Sequence, residues 1–253
     1  MADPTEPDPF GIPLGDVWND VPLLREIQRV LASSSGPVNW ELARQVGIAA
    51  SAAGAQDPPP TDADRRAFEE AVRVAELRVA DATGLEPPSA LTVVRAVRRS
   101  EWVQGTLQGL RPVLEPAADG LARAAARAQR EALPEGAGAA AEGMTGLLSQ
   151  LSPLLLGAQV GGVLGSLAQQ VFGQYDVAIP RPDAAELVFV VPNVAAFERD
   201  WSLDPTEFRT WVALHEVTHR FELSRPWALE RFRALIDDYA STLRLDVEGL
   251  HRR

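Results

Sequence analysis

A mainly α-helical fold with a small β element is what this sequence predicts, and three observations carry the prediction. Apolar residues recur at three- and four-residue intervals through most of the chain. Cap signals such as Asp204-Pro205-Thr206-Glu207 mark helix starts. One segment, Glu186-Leu187-Val188-Phe189-Val190-Val191, has the apolar, β-branched and proline-bounded character of a strand. The chain has 253 residues, 46% hydrophobic and 23% charged, which is enough to bury a sizeable core.

Residues 1–15 are acidic and proline-rich and predict a disordered leader. Residues 16–253 read as one domain, helical over 16–180, with a strand and a motif-bearing helix over 181–253. Helices are expected at 21–31 and 38–50, separated by the turn Ser33-Ser34-Ser35-Gly36-Pro37. A connector at 56–60 leads to Thr61 or Asp62, which caps a long helix carrying Phe68, Val72, Ala75, Leu77 and Val79. Gly84 and Pro87-Pro88 end it. Residues 91–133 predict two or three further helices, the last an Ala/Arg-rich stretch whose arginines form a solvated face.

The stretch 143–175 has no charged residue. Pro153 and several glutamines and serines dilute its hydrophobicity, so it reads as two helices buried in the core rather than a membrane span. Gly157, Gly161, Gly162 and Gly165 would let another helix approach closely. The strand at 186–191 has two readings: a buried strand of a small sheet, or an edge that captures an extended peptide. Asn193 is expected to cap the short helix that leads to Trp201.

The chemistry is concentrated in His215-Glu216-Val217-Thr218-His219, which uses two of the three histidines of the chain. On a helix, residues four apart share a face, so both imidazoles can reach one zinc ion. Glu216 projects about 100° around the helix from His215, where it can accept a proton from a metal-bound water without ligating. The motif therefore reads as the core of a zincin-type zinc metallohydrolase, with His215 and His219 as zinc ligands and Glu216 as general base. A catalytic zinc needs a third protein ligand. A metzincin would place Gly and His at 222 and 225, but this chain has Glu222 and Arg225. Candidates from the next helix are Glu230, Asp237, Asp238 and Glu248, with His251 as the last imidazole; Asp238 has the gluzincin-like spacing. Glu222, one turn from His219, is expected to orient that histidine rather than ligate.

A formal charge of −11 argues against nucleic acid or an anionic membrane as partner. The absence of cysteine removes disulfides and thiolate ligands. The N-terminus lacks the basic and apolar regions of a secretory signal, so a cytoplasmic location is expected.

The combination Gly36-Pro37-Val38-Asn39-Trp40 with Leu42-Ala43-Arg44, Gly157-Ala158-Gln159, Gly173-Gln174-Tyr175-Asp176 and Leu214-His215-Glu216-Val217-Thr218-His219 resembles the zincin-like metallopeptidase family of actinobacterial hydrolases. Some of its members are associated with biosynthesis of a deazaflavin coenzyme. The resemblance runs from about residue 16 to the end. It implies a mostly helical protein with zincin-like topology around the motif helix, zinc on His215 and His219, and Glu216 as base. It brings no established substrate; a peptide or protein substrate is what the motif chemistry leads one to expect. Arg220 departs from the general extended zincin motif, in which an uncharged residue usually follows the second histidine. Family members continue past Arg253 with a further glutamate, which implies a truncated chain whose third ligand lies beyond its end, unless Asp238 supplies it. The alternative is a catalytically inactive zincin-like scaffold, linked to coenzyme biosynthesis.

Overall fold

The computed structural model describes residues 36–54, 56–132, 139–175 and 186–242. The expected leader at 1–15 and helix at 21–31 lie outside them. In chain order the elements are α1 (Trp40–Ser51), α2 (Asp62–Thr83), β1 (Val93–Val97), α3 (Arg99–Ala132), α4 (Ala139–Leu167), β2 (Glu186–Val190), α5 (Val191–Asp200), α6 (Pro205–Leu223) and α7 (Pro226–Thr242). The protein is mainly helical with a two-stranded sheet, as its sequence predicts.

β2 is the centre of the molecule. Its side chains alternate between two cores, as the two-residue period of a strand requires. Leu187 and Phe189 join Phe68, Val72, Ala75 and Val79 of α2 and Val212, Val217 and Phe221 of α6. Val188 and Val190 join Ala43 of α1, Trp102, Val103 and Leu107 of α3, and Leu164 and Ala168. Phe68 and Phe189 stack with centroids 4.5 Å apart; full burial of each ring is worth about 1.5–3 kcal/mol.

β1 pairs with β2 in parallel, in the register Val93↔Glu186 to Val97↔Val190. On its other side β2 meets the chain before it: Gly173 and Phe189 form an antiparallel bridge, and Val190 N donates to Phe172 O at 2.8 Å. The strand is buried from Leu187 onward, which favours the buried-strand reading over a free peptide-capturing edge.

Three local expectations change. β1 lies where helix was expected, because Val93-Val94-Arg95-Ala96-Val97 becomes a strand through its distant partner. Residues 99–132 form one helix that contains Pro112 and Pro116, and Arg123 and Arg127 on it are exposed. Within 143–175 there is one helix, α4, running through Pro153, followed by an irregular segment rather than a second helix. Among the described residues no helix is long and apolar enough to cross a membrane.

α1 and α4 run side by side in the same direction and touch backbone to backbone. A Cβ on Gly157 would lie 2.4 Å from Asn39 O, on Gly161 2.3 Å from Ala43 O, and on Gly165 2.6 Å from Gly47 O. The four-residue spacing of both rows turns them toward each other. Gly162, also expected in this role, faces open space. Asn39 caps α1, its side chain accepting from Leu42 N at 2.8 Å, and its own N–H donates to Pro153 O at 2.9 Å.

Candidate metal centre

α6 starts as its sequence dictates. Asp204 Oδ1 accepts the N–H groups of Thr206 and Glu207, both at 2.9 Å, and Pro205 occupies the first helical position, where no N–H is needed. The stripe Val212, Ala213, Glu216, Val217, Arg220 and Phe221 is buried. Trp211 and Glu222 are exposed, with His215 and His219 half-buried between them. Both imidazoles therefore share one side of the helix, while Glu216 belongs to the core side.

The imidazole centroids are 4.7 Å apart and the rings stand at 81°. His219 Nδ1 lies 2.9 Å from Glu222 Oε2. With Nδ1 donating to the carboxylate, Nε2 keeps its lone pair available, which is the tautomer a metal ligand needs. Trp211 stacks on His215 at 6.2 Å and 20°, and Tyr175 packs against His219 at 5.8 Å. Each imidazole thus has an aromatic brace.

Glu216 is 0% exposed. Its Oε2 accepts the backbone N–H groups of Gln174 and Tyr175, both at 3.0 Å. Burying a carboxylate is costly, and such charge-assisted bonds offset part of the cost. The chain closes on this carboxylate only because residue 173 is glycine: a Cβ there would lie 2.2 Å from Glu216 Oε1 and 2.3 Å from Cδ.

The 173–175 loop is itself anchored. Trp102 Nε1 donates to Gly173 O at 3.1 Å. Asn193 Nδ2 donates to Ala168 O at 2.8 Å and Val171 O at 2.6 Å, and Arg99 Nε donates to Asn193 Oδ1 at 2.6 Å. Asn193 is therefore not the expected helix cap. It lies inside α5, whose N-cap is Val190, and its side chain serves the loop instead. Gly173, Gln174 and Tyr175 entered the sequence reading only as part of the family resemblance, with no structural or catalytic role. The available signal was a glycine next to amide-bearing positions at the end of a charge-free stretch, in a chain with a core carboxylate to satisfy.

Arg220, which departs from the usual pattern after the second histidine, has a structural reason. It is 1% exposed, donating to Glu76 Oε1 at 2.8 Å and to Ala90 O at 2.7 Å. Thr92 also donates to Glu76. Arg209 extends this polar seam, donating to Glu198 Oε1 at 2.8 Å and Asp64 Oδ1 at 3.2 Å. Burial pushes the Asp64 carboxyl up, but bonds from the Thr61 hydroxyl and N–H and from Arg209 hold it below the usual carboxylate value. The Arg209 guanidinium is shifted up, first by its bonds to Glu198.

Of the expected third ligands, Glu230 and Asp238 are exposed on α7, and Asp237 lies on the same helix. Glu248 and His251 are outside the described residues. Among the described residues no group of three or more His, Asp or Glu side chains is arranged to hold a metal. In residue type and helical spacing the imidazole pair matches two of the three protein ligands that a catalytic zinc takes.

A His-Glu-x-x-His helix packed on a small sheet within a mainly helical body defines the class of this molecule as zincin-like. More specifically, the chain belongs to the zincin-like metallopeptidase family, whose model matches residues 38–253. It is also similar to a crystal structure from Chloroflexus aurantiacus described as "a putative hydrolase with a novel fold". The two share 30% identity with a TM-score of 0.58, over 81% of this chain and 59% of that one. This chain therefore spans under two thirds of that protein's length. No curated protein matches it.

Proposed function

We propose that the protein is a zinc-dependent hydrolase of peptide bonds, with His215 and His219 as metal ligands and Glu216 as general base. The observation that carries this reading is the imidazole pair, 4.7 Å apart on the solvent side of α6, with Glu222 engaging Nδ1 of His219. Membership of a metallopeptidase family and the likeness to a protein described as a hydrolase support it. Zinc bound there would polarise a substrate carbonyl and acidify a water molecule to a pKa near ~7. His215 and His219 would hold the metal through neutral imidazoles, each ring kept in place by its aromatic neighbour. Glu216 would take a proton on its carboxylate and return it to the leaving amine. For that it must act from the core side of α6, where Gln174 and Tyr175 N–H groups grip one of its oxygens.

That grip favours a second reading, a catalytically silent zincin-like binding protein in which Glu216 only anchors the 173–175 loop. The link to deazaflavin-coenzyme biosynthesis implied by the sequence resemblance belongs with this reading. Metal analysis and peptide hydrolysis by wild type, His219→Ala and Glu216→Gln separate the two. The hydrolase reading expects near-stoichiometric zinc in wild type, its loss in His219→Ala, and a fall in turnover of about 10²–10⁴-fold in a folded, zinc-loaded Glu216→Gln. A wild type that takes up no zinc when it is supplied would overturn it.

A further inference from the structure

Beside the imidazoles runs a continuous line of aromatic ring contacts. Trp201 meets Phe197 at 5.7 Å, Phe197 meets Phe208 at 5.1 Å, and Phe208 meets Trp211 at 6.0 Å with planes 10° apart. Trp211 then stacks on His215. Phe172, from the loop that grips Glu216, packs edge-on against Phe197 and Phe208 at 5.2 and 5.5 Å. The row is solvent-facing at both tryptophans, Trp201 being 68% and Trp211 57% exposed. Trp201 is carried by the turn between α5 and α6. In that turn Ser202 has φ 52°, a left-handed conformation that residues with a Cβ disfavour.

From these contacts we infer that the Trp201–Phe197–Phe208–Trp211 row is the substrate subsite that selects an apolar or aromatic side chain next to the cleaved bond. The inference rests on the peptide-hydrolase reading of the imidazole pair and adds to it a preference of substrate. Three observations identify this occupant. The row is continuous with the candidate metal ligands, since the ring that ends it lies against His215. It is near enough for one bound residue to reach both groups: the Trp211 ring lies 6.2 Å from the His215 ring. Its exposed members are two tryptophans, which supply large rigid contact area at low entropic cost. Phe197 and Phe208 lie half-buried beneath them and serve as the floor, held by Phe172. Trp211 is the specificity-determining residue, because it touches both the row and a candidate ligand.

The test uses the full chain, with and without added zinc, and terminally blocked peptides of equal length that differ only in carrying Phe, Leu, Ala or Asp beside the central bond. Binding is read from intrinsic tryptophan fluorescence and, for zinc-loaded protein, hydrolysis from kcat/KM. The Phe and Leu peptides should bind about tenfold or more tightly than the Ala and Asp peptides. Trp211→Ala should abolish that preference, Trp211→Phe should retain most of it, and Trp227→Ala, altering a 73% exposed tryptophan on α7, should leave it unchanged. Equal binding of all four peptides, no binding of any, or a preference that survives Trp211→Ala overturns the subsite. Side-chain preference in binding without hydrolysis retains the subsite and removes the hydrolase reading. Hydrolysis without side-chain preference does the reverse.

Discussion

Along α1 and α4 the backbones meet directly at three glycines, whereas α2 and α6 are joined by ion pairs set among apolar side chains. In the first interface the fit is made by what is missing: Gly157, Gly161 and Gly165 let carbonyl groups of α1 lie where a Cβ would stand. In the second, Arg220 reaches Glu76 and Arg209 reaches Asp64, both carboxylates on α2, around the contacts of Phe68, Val72, Val212 and Val217. Backbone contact is steric and insensitive to charge. The polar seam is directional, so it fixes the rotation of α6 and with it which side carries His215 and His219. The difference teaches that the scaffold half is specified by size and the motif half by polar pairing.

The largest effect expected from breaking this contrast is in the steric interface. Gly161→Leu forces a side chain into Ala43, whose O, C and Cα all lie within 3.0 Å of the new Cβ. Overpacking against backbone cannot relax by a rotamer change, so a loss of about 3 kcal/mol or more is expected from chemical denaturation. A loss below about 1 kcal/mol would mean that the two helices separate at little cost.

Next is Glu76→Ala, which removes the carboxylate that the buried Arg220 guanidinium reaches at 2.8 Å. Removing one partner of a buried pair costs about 3 kcal/mol, discounted here because Glu76 is 25% exposed. Denaturation should give a smaller loss than for Gly161→Leu. Replacing both residues with apolar ones should recover part of it, because no buried charge is then left unpaired.

The smallest effect is with pH, and it belongs to the polar seam alone. The native Asp64 carboxyl titrates below its unfolded value. Its stabilisation is therefore complete above about pH 4 and is lost as pH falls through the lowered native value. Denaturation midpoints of wild type and Asp64→Asn should differ by a constant amount near neutrality and converge in acid. A difference that persists unchanged in acid would separate Asp64 from any ionic role.

Much of the local structure was legible because its signals are local. The cap Thr61, the start Asp204-Pro205 and three of the four expected close-packing glycines, Gly162 being the exception, stand where the sequence places them. β1 was not legible, since a five-residue segment is a strand here only by pairing with β2. Asn193 misled for the same reason: its chain neighbours suggest a cap, but its partners are Arg99, Ala168 and Val171. At the candidate site, helical geometry alone put His215 and His219 on one side. The environment of Glu216 was hidden, because the groups that engage it come from residues 174 and 175, far earlier in the chain.

The placement of β2 between two cores also sets an order of events during synthesis. β1, α3 and α4 are all made before the strand that pairs with β1 and fills both hydrophobic interiors. Until residue 190 is available, α2 lacks Leu187 and Phe189, and the α1/α3/α4 cluster lacks Val188 and Val190. Parallel pairing across two intervening helices is a non-local contact that forms slowly. The nascent chain therefore carries two unfinished apolar surfaces until β2 has been made, a period in which chaperone binding or aggregation competes with folding.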